Sequence, residues 1–133
     1  MDKGEIEMKR LIALFVLALV LGVAGCAAPS DVYVTEEEDG AAVTVAQGGA
    51  LTIELEGNPT TGYTWAAYDT PAIVEQRGEV AFEPDSEALG SGGRMTLEFE
   101  AVETGTGTLE LWYSRPWESR QPERTYTLEI TVK

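Results

Sequence analysis

Histidine is absent from the 133 residues of this chain, and cysteine occurs once, at Cys26. Without histidine no serine–histidine or cysteine–histidine relay can be assembled, and zinc loses its commonest nitrogen ligand. Basic residues are scarce as well: Lys and Arg number 9 against 23 Asp and Glu, a formal net charge of -14. Such a surface repels phosphate backbones and anionic headgroups, so nucleic acid is not an expected partner. For the charge itself, plain solubility is a sufficient account. A lone cysteine cannot staple the fold, which burial alone must hold, and the cysteine pair of antibody domains is missing. The chemistry left to an enzyme is a pair of carboxylates, as in a glycosidase. Glu54, Glu56, Glu98 and Glu100 fall at the outward positions of alternating runs, where solvation explains them. The expectation is no catalysis, no metal and no cofactor.

The N-terminal part is more specific. The stretch MKRLIALFVLALVLGVAGC has a basic start at Lys9 and Arg10, an apolar run over Leu11–Val23 and small residues before Cys26. It reads as an export signal over residues 1–25. The run is shorter than the about 20 apolar residues of a membrane span, which makes a permanent transmembrane helix the weaker alternative. The acidic lead MDKGEIE is unlike a signal start, and Met8 is a second candidate for the first residue. Val23-Ala24-Gly25-Cys26 resembles the lipobox of prokaryotic lipoproteins, in which the cysteine sulfur takes a diacylglyceryl group as a thioether. This predicts an exported protein, lipid-anchored at the cell envelope or surface through Cys26. The alternative is a secretory signal with an incidental cysteine. Residues 26–40 are then expected to form an acidic tether running into a first edge strand at Val32–Val34. Within it, the run Glu36–Asp39 reads as solvated charge, lacking the glycine-punctuated spacing of a calcium loop.

From residue 41 to 133 the sequence follows strand grammar, with period-two alternation bounded by turn residues. The runs are 42–46, 51–55, 63–68, 73–82, 95–102, 108–114 and 125–132. No helical periodicity competes with them. The expected fold is all-β, an immunoglobulin-like antiparallel β-sandwich of about seven strands. Trp65 and Trp112 lie inside runs and are expected in the core. Three connections are longer than minimal hairpins: Gly57–Gly62, Pro84–Gly93 and Arg115–Glu123. In an immunoglobulin-like order the first and last share one end of the sandwich, and the middle one can reach it.

Each long loop has unusual content. In GNPTTGYTW, Asn58, Pro59 and Gly62 are turn chemistry, whereas the stiff pair Thr60 and Thr61 predicts a wide loop with two hydroxyls held outward. Gly90-Ser91-Gly92-Gly93 has no strand-to-helix context and is no phosphate cradle; it is either a flexible turn or backbone that lies close to a partner. Arg115-Pro116-Trp117 joins two residue types enriched in interface hot spots to a proline that limits loop freedom. Trp117 folding back into the core is the competing outcome.

The motifs NPTTGY, GSGG and RPW, in that order on an all-β domain of this size, resemble the three binding loops of the chagasin family of cysteine protease inhibitors. The similarity covers about residues 42–133, with Tyr63 where the family often has phenylalanine. The resemblance implies a reversible, non-covalent inhibitor of papain-like enzymes. Its protease-binding residues would be Asn58, Pro59, Thr60, Thr61, Gly62 and Tyr63 in the cleft. Gly90, Ser91, Gly92 and Gly93 would grip one side, and Arg115, Pro116 and Trp117 the other. A monomer is expected. The competing functions are a cell-surface adhesive or carbohydrate-binding module, with Tyr63, Tyr113 and Trp117 as aromatic platforms, and a carboxylate-based hydrolase.

Overall fold

The structure is a computed structural model that describes residues 27–133; the export signal and Cys26 lie outside the described residues. The elements are β1 (Asp31–Val34), β2 (Ala42–Val45), β3 (Ala50–Gly57), β4 (Thr64–Asp69), β5 (Val74–Gln76), β6 (Ala81–Pro84), β7 (Gly93–Ala101), β8 (Gly105–Ser114) and β9 (Arg124–Val132). One sheet has the order β1-β3-β7-β5, with β6 also on β7, and the other has the order β2-β9-β8-β4. The result is an all-β two-sheet sandwich, with only two short 3₁₀ turns and no α-helix among the described residues.

Alternation builds the core. Leu51, Ile53 and Leu55 of β3 and Met95, Leu97 and Phe99 of β7 bury one sheet's inner face, and Leu109, Leu111, Leu128 and Ile130 answer from the other. Each such side chain contributes about 1.5–3 kcal/mol on burial, which is how the described residues hold together without a disulfide. No buried side-chain polar atom among them lacks a partner.

Nine strands form where seven runs were counted. Beyond the edge strand β1, the run 73–82 splits, because Gly78 turns the chain through φ 71°. Val74–Gln76 then pair with the far end of β7, opposite Ala101 to Phe99, and Ala81–Pro84 with its near end, opposite Thr96 to Gly93. The pairing is also not antiparallel throughout: β1 runs parallel to β3 and β2 parallel to β9. Residues 35–49 leave the first sheet for the second and return, a crossover long enough to bring the chain back in the same direction. Trp65 is buried at 3 % exposure, but Trp112 is not in the core. It follows Leu111 and precedes Tyr113, both buried, so the pleat turns it to the outer face. There it is half-buried and stacks on Tyr68 of the neighbouring strand, with ring centroids 3.6 Å apart.

Residues 31–40 are not a free tether. β1 lies against β3, and Glu36–Glu38 form a 3₁₀ turn closed by a capping box in which the Glu38 side chain accepts from the Thr35 N–H at 2.7 Å. The Tyr126 hydroxyl donates to the Thr35 carbonyl at 2.7 Å. Burial first, and then the carboxylates of Glu38, Asp39 and Glu36, hold that phenol protonated well above its usual range, so it remains a donor. Asp39 Oδ1 accepts from the Thr127 N–H at 2.9 Å, and the Gly40 N–H donates to the Thr127 carbonyl at 2.8 Å. Part of the acidic run is thus tied to backbone amides, while Glu37 and Asp39 remain exposed.

The sandwich has two distinct poles. Gly57 pairs with Gly93, Gly93 with Pro84, and Tyr113 with Arg124, so the three long loops leave from one end. At the other, the Ala46 N–H donates to the Pro29 carbonyl and the Ala50 N–H to that of Ser30, while the Lys133 N–H donates to Val45.

Candidate functional site

The first loop is tight rather than wide. Pro59–Thr61 form one 3₁₀ turn capped by Asn58 and ended by Gly62 at φ 86°. Proline at the first position presets φ, and glycine at the last takes the left-handed conformation without a Cβ penalty. The hydroxyls turn inward. Thr60 Oγ1 donates to Asn58 Oδ1 at 2.6 Å, and Thr61 Oγ1 donates to the Asn58 carbonyl at 2.7 Å. In a turn this short the capping acceptors lie closer than any partner outside, so the threonines brace the loop from within while both residues remain exposed.

Asn58 is the centre of the arrangement. Its Oδ1 also accepts from the Thr60 N–H at 3.1 Å, and its own N–H donates to the Tyr113 hydroxyl at 2.9 Å. Nδ2 donates to the Gly90 carbonyl at 3.0 Å, which joins the first loop to the second. In that second loop Gly90 takes φ 80°, and the Ser91 N–H closes on the Ala88 carbonyl at 3.2 Å. Ser91 and Gly92 are half-buried, whereas Gly93 is buried at the start of β7. A Cβ on Gly93 would meet the Glu83 carbonyl oxygen at 2.1 Å, so this glycine lets β3, β6 and β7 close together at the loop root.

The third loop closes over the first. Arg115 Nε donates to the Thr61 carbonyl at 2.9 Å, its guanidinium lies 4.6 Å from the centre of the Tyr63 ring, and Nη1 meets Glu118 at 3.2 Å. Pro116 is exposed, and Trp117 is 71 % exposed with its ring edge over Gly62. A Cβ at Gly62 would come within 2.5 Å of that ring. Trp117 is thus a loop residue with one face supported. The aromatic platform does not form, because Tyr113 is buried and Tyr63 is stacked between it and Arg115.

Arg124 and the Tyr113 hydroxyl also build the site; Arg124 did not stand out in the sequence, and Tyr113 did so only as an aromatic platform. The Arg124 guanidinium lies 4.3 Å from the centre of the Tyr113 ring and 5.2 Å from that of Trp65, and Nη2 donates to the Glu56 carbonyl at 2.8 Å. Their signal was positional: Tyr113 is the last residue but one of β8 and Arg124 opens β9, on either side of the third loop. No grouping of three or more metal-ligating side chains occurs among the described residues.

A stiff sandwich with three cross-bonded loops at one pole, and no catalytic constellation among them, defines a binding protein with a preformed working surface. Residues 44–132 match the chagasin family peptidase inhibitor I42, and the chain belongs to that family. It is a cysteine protease inhibitor and not an enzyme. It is 33 % identical over 99 residues to amoebiasin-1 of Entamoeba histolytica, covering 74 % of this chain and 97 % of that one. With chagasin of Trypanosoma cruzi it shares 37 % identity over 91 residues, 63 % of this chain and 81 % of the relative. The crystal structure of a cysteine protease inhibitor from Entamoeba histolytica superposes with a TM-score of 0.65 at 26 % identity, covering 77 % and 95 % of the two chains.

Proposed function

We propose that this chain inhibits papain-like cysteine proteases reversibly, without a covalent bond, by seating its three-loop pole in the active-site cleft. The immunoglobulin-like sandwich serves as the rigid mount. Asn58 to Tyr63 enter the cleft, and Gly90 to Gly92 with Arg115 to Trp117 flank it, with Gly93 acting from beneath. The observation that carries this reading is the cross-bonding of the loops: Asn58 reaches the second and Arg115 the first, so little conformational freedom remains to be lost on docking. Complementarity alone then supplies affinity, and the protease's nucleophile is not needed. Capping the target's catalytic cysteine with a small blocking group should leave binding of the inhibitor intact. Pro59 also places its peptide poorly for attack, so the inhibitor should survive prolonged incubation. Steady cleavage between Asn58 and Tyr63, or loss of binding to the capped enzyme, would count against the mechanism.

Asn58→Ala tests the preorganisation directly. It removes a cap worth about 0.5–2 kcal/mol and the bond to the second loop. Inhibition should weaken by roughly tenfold or more, measured by titration, while Asn58→Asp, which keeps the capping acceptor but not the donor to Gly90, should fall between the two.

The same proposal places the protein at the cell envelope through a lipid on Cys26, supported by the lone cysteine directly after Val23-Ala24-Gly25. Mass spectrometry of membrane-extracted protein should find an acylated N-terminal cysteine. An unmodified mature chain recovered from the medium would remove the anchor and leave the inhibitor reading untouched.

A further inference from the structure

The match to the family begins at residue 44, so the acidic 3₁₀ turn at Glu36–Glu38 lies outside it. Even so, this turn reaches two of the loop roots. Glu36 Oε1 accepts from the Glu56 N–H at 2.6 Å and from Arg94 Nη1 at 2.6 Å. Glu56 is the residue before Gly57-Asn58, at the root of the first loop; Arg94 directly follows Gly93, at the root of the second. The Glu56 carbonyl is held as well, accepting from Arg124 Nη2 at 2.8 Å and Trp65 Nε1 at 3.0 Å. Arg124 opens β9 at the root of the third loop. The peptide groups that launch the first loop are therefore gripped at the Glu56 N–H and at the Glu56 carbonyl, and the first of these grips comes from residues that precede the family-model match.

We infer that Glu36 is a positioning residue for inhibition: its carboxylate, carried on the docked N-terminal turn, fixes the roots of the first two loops and so sets their bound geometry. The turn is suited to this because its own conformation is fixed independently of the loops, by the capping box and by the bonds of Thr35 and Asp39 to Tyr126 and Thr127. Glu36 is also held ionised. Burial works to raise its carboxyl, but the backbone N–H groups of Glu36 and Glu56 and the Arg94 guanidinium outweigh it and keep it below the usual carboxylate range. Arg94 is steadied in turn by Glu54 at 3.6 Å, whose other contact is the Tyr33 hydroxyl of β1. A carboxylate accepting two charge-assisted or backbone bonds in this way gives direction as well as attraction.

This inference rests on the inhibitor reading, and its test has an arm that does not. Glu36→Ala, Glu36→Gln and Glu37→Gln are compared in the full chain. Glu37 is exposed and its side chain makes no hydrogen bond or ion pair among the described residues, so Glu37→Gln serves as the charge control. Backbone hydrogen exchange needs no protease: amides from Glu56 to Thr61 should exchange faster in Glu36→Ala, with Leu111 and Leu128 still protected and Glu37→Gln unchanged. Against papain, Glu36→Ala should inhibit roughly fivefold or more weakly. Glu36→Gln keeps an acceptor and should recover part of the loss. In an Asn58→Ala background, where the loop is already loosened, Glu36→Ala should have less than about a twofold effect. Inhibition by Glu36→Ala equal to wild type, full additivity with Asn58→Ala, or an equal loss in Glu37→Gln would each overturn the inference. Should Glu36→Ala fail to fold, Glu36→Gln decides by the same exchange and inhibition criteria. If the wild-type chain inhibits no papain-like enzyme, the inhibitor reading fails, and unchanged exchange from Glu56 to Thr61 would still overturn the positioning role.

Discussion

Trp117→Ala is expected to weaken protease inhibition by about 2 kcal/mol or more, a loss of roughly 30-fold, while leaving thermal unfolding little changed. The two halves of this expectation have separate physical origins. Stability is spared because the ring is 71 % exposed and lies over Gly62 at the surface, so truncation opens no cavity in the packed interior. Affinity suffers because the ring lies beside the capped turn at Asn58–Gly62, held by Pro116 and by the pairing of Arg115 with Glu118. A large side chain with little freedom left, and most of its surface still wet, gains the most from being covered. Melting and inhibition titration on one pair of samples read both quantities. A large fall in melting temperature with the affinity of the folded fraction intact would reverse the assignment.

Trp65→Ala should do the opposite. This ring is buried against Tyr113 and Tyr126, with centroids at 5.1 and 6.5 Å, and its Nε1 donates to the Glu56 carbonyl at 3.0 Å. Truncation of such a side chain costs about 3–5 kcal/mol of folding stability. For a domain of this size that lowers the melting temperature by about 15 °C or more. Inhibition by the fraction that remains folded should fall less steeply than in Trp117→Ala. An unchanged melting temperature would mean that the Tyr113–Tyr126 cluster closes over the gap, contrary to the close packing of the inner face.

The two tryptophans also show what a sequence can disclose of this fold. Trp65 and Trp112 both lie in alternating runs, and alternation says that neighbours face opposite ways without saying which way is in. Trp65 falls in phase with Tyr113 and Tyr126; Trp112 falls out of phase and meets Tyr68 instead. Trp117 was legible because Pro116 and Glu118 leave it no run to join. The strands were readable from period two, and the three loops from their length and residue types. What stayed hidden depends on contacts distant in sequence. The hydroxyls of Thr60 and Thr61 are the exception: Asn58, two and three residues away, claims them because the 3₁₀ turn brings its capping acceptors within reach. Nothing local to Glu36 says that the Glu56 amide and Arg94, 20 and 58 residues away, will dock an acidic run onto the sandwich.

The position of the two ends of the described residues bears on how the molecule can be displayed. Pro29, Ser30 and Lys133 are all bonded at the pole away from the loops. β3, with 8 residues between the poles, spans about 25 Å at the rise of an extended strand. Attachment to a bead, a carrier or a lipid surface next to Pro29 or at Lys133 therefore leaves the loop pole pointing outward, beyond the reach of the attachment itself. Oriented in this way, a layer of these molecules presents the same face to an arriving protease at every site, and its capacity should approach one enzyme per tethered copy.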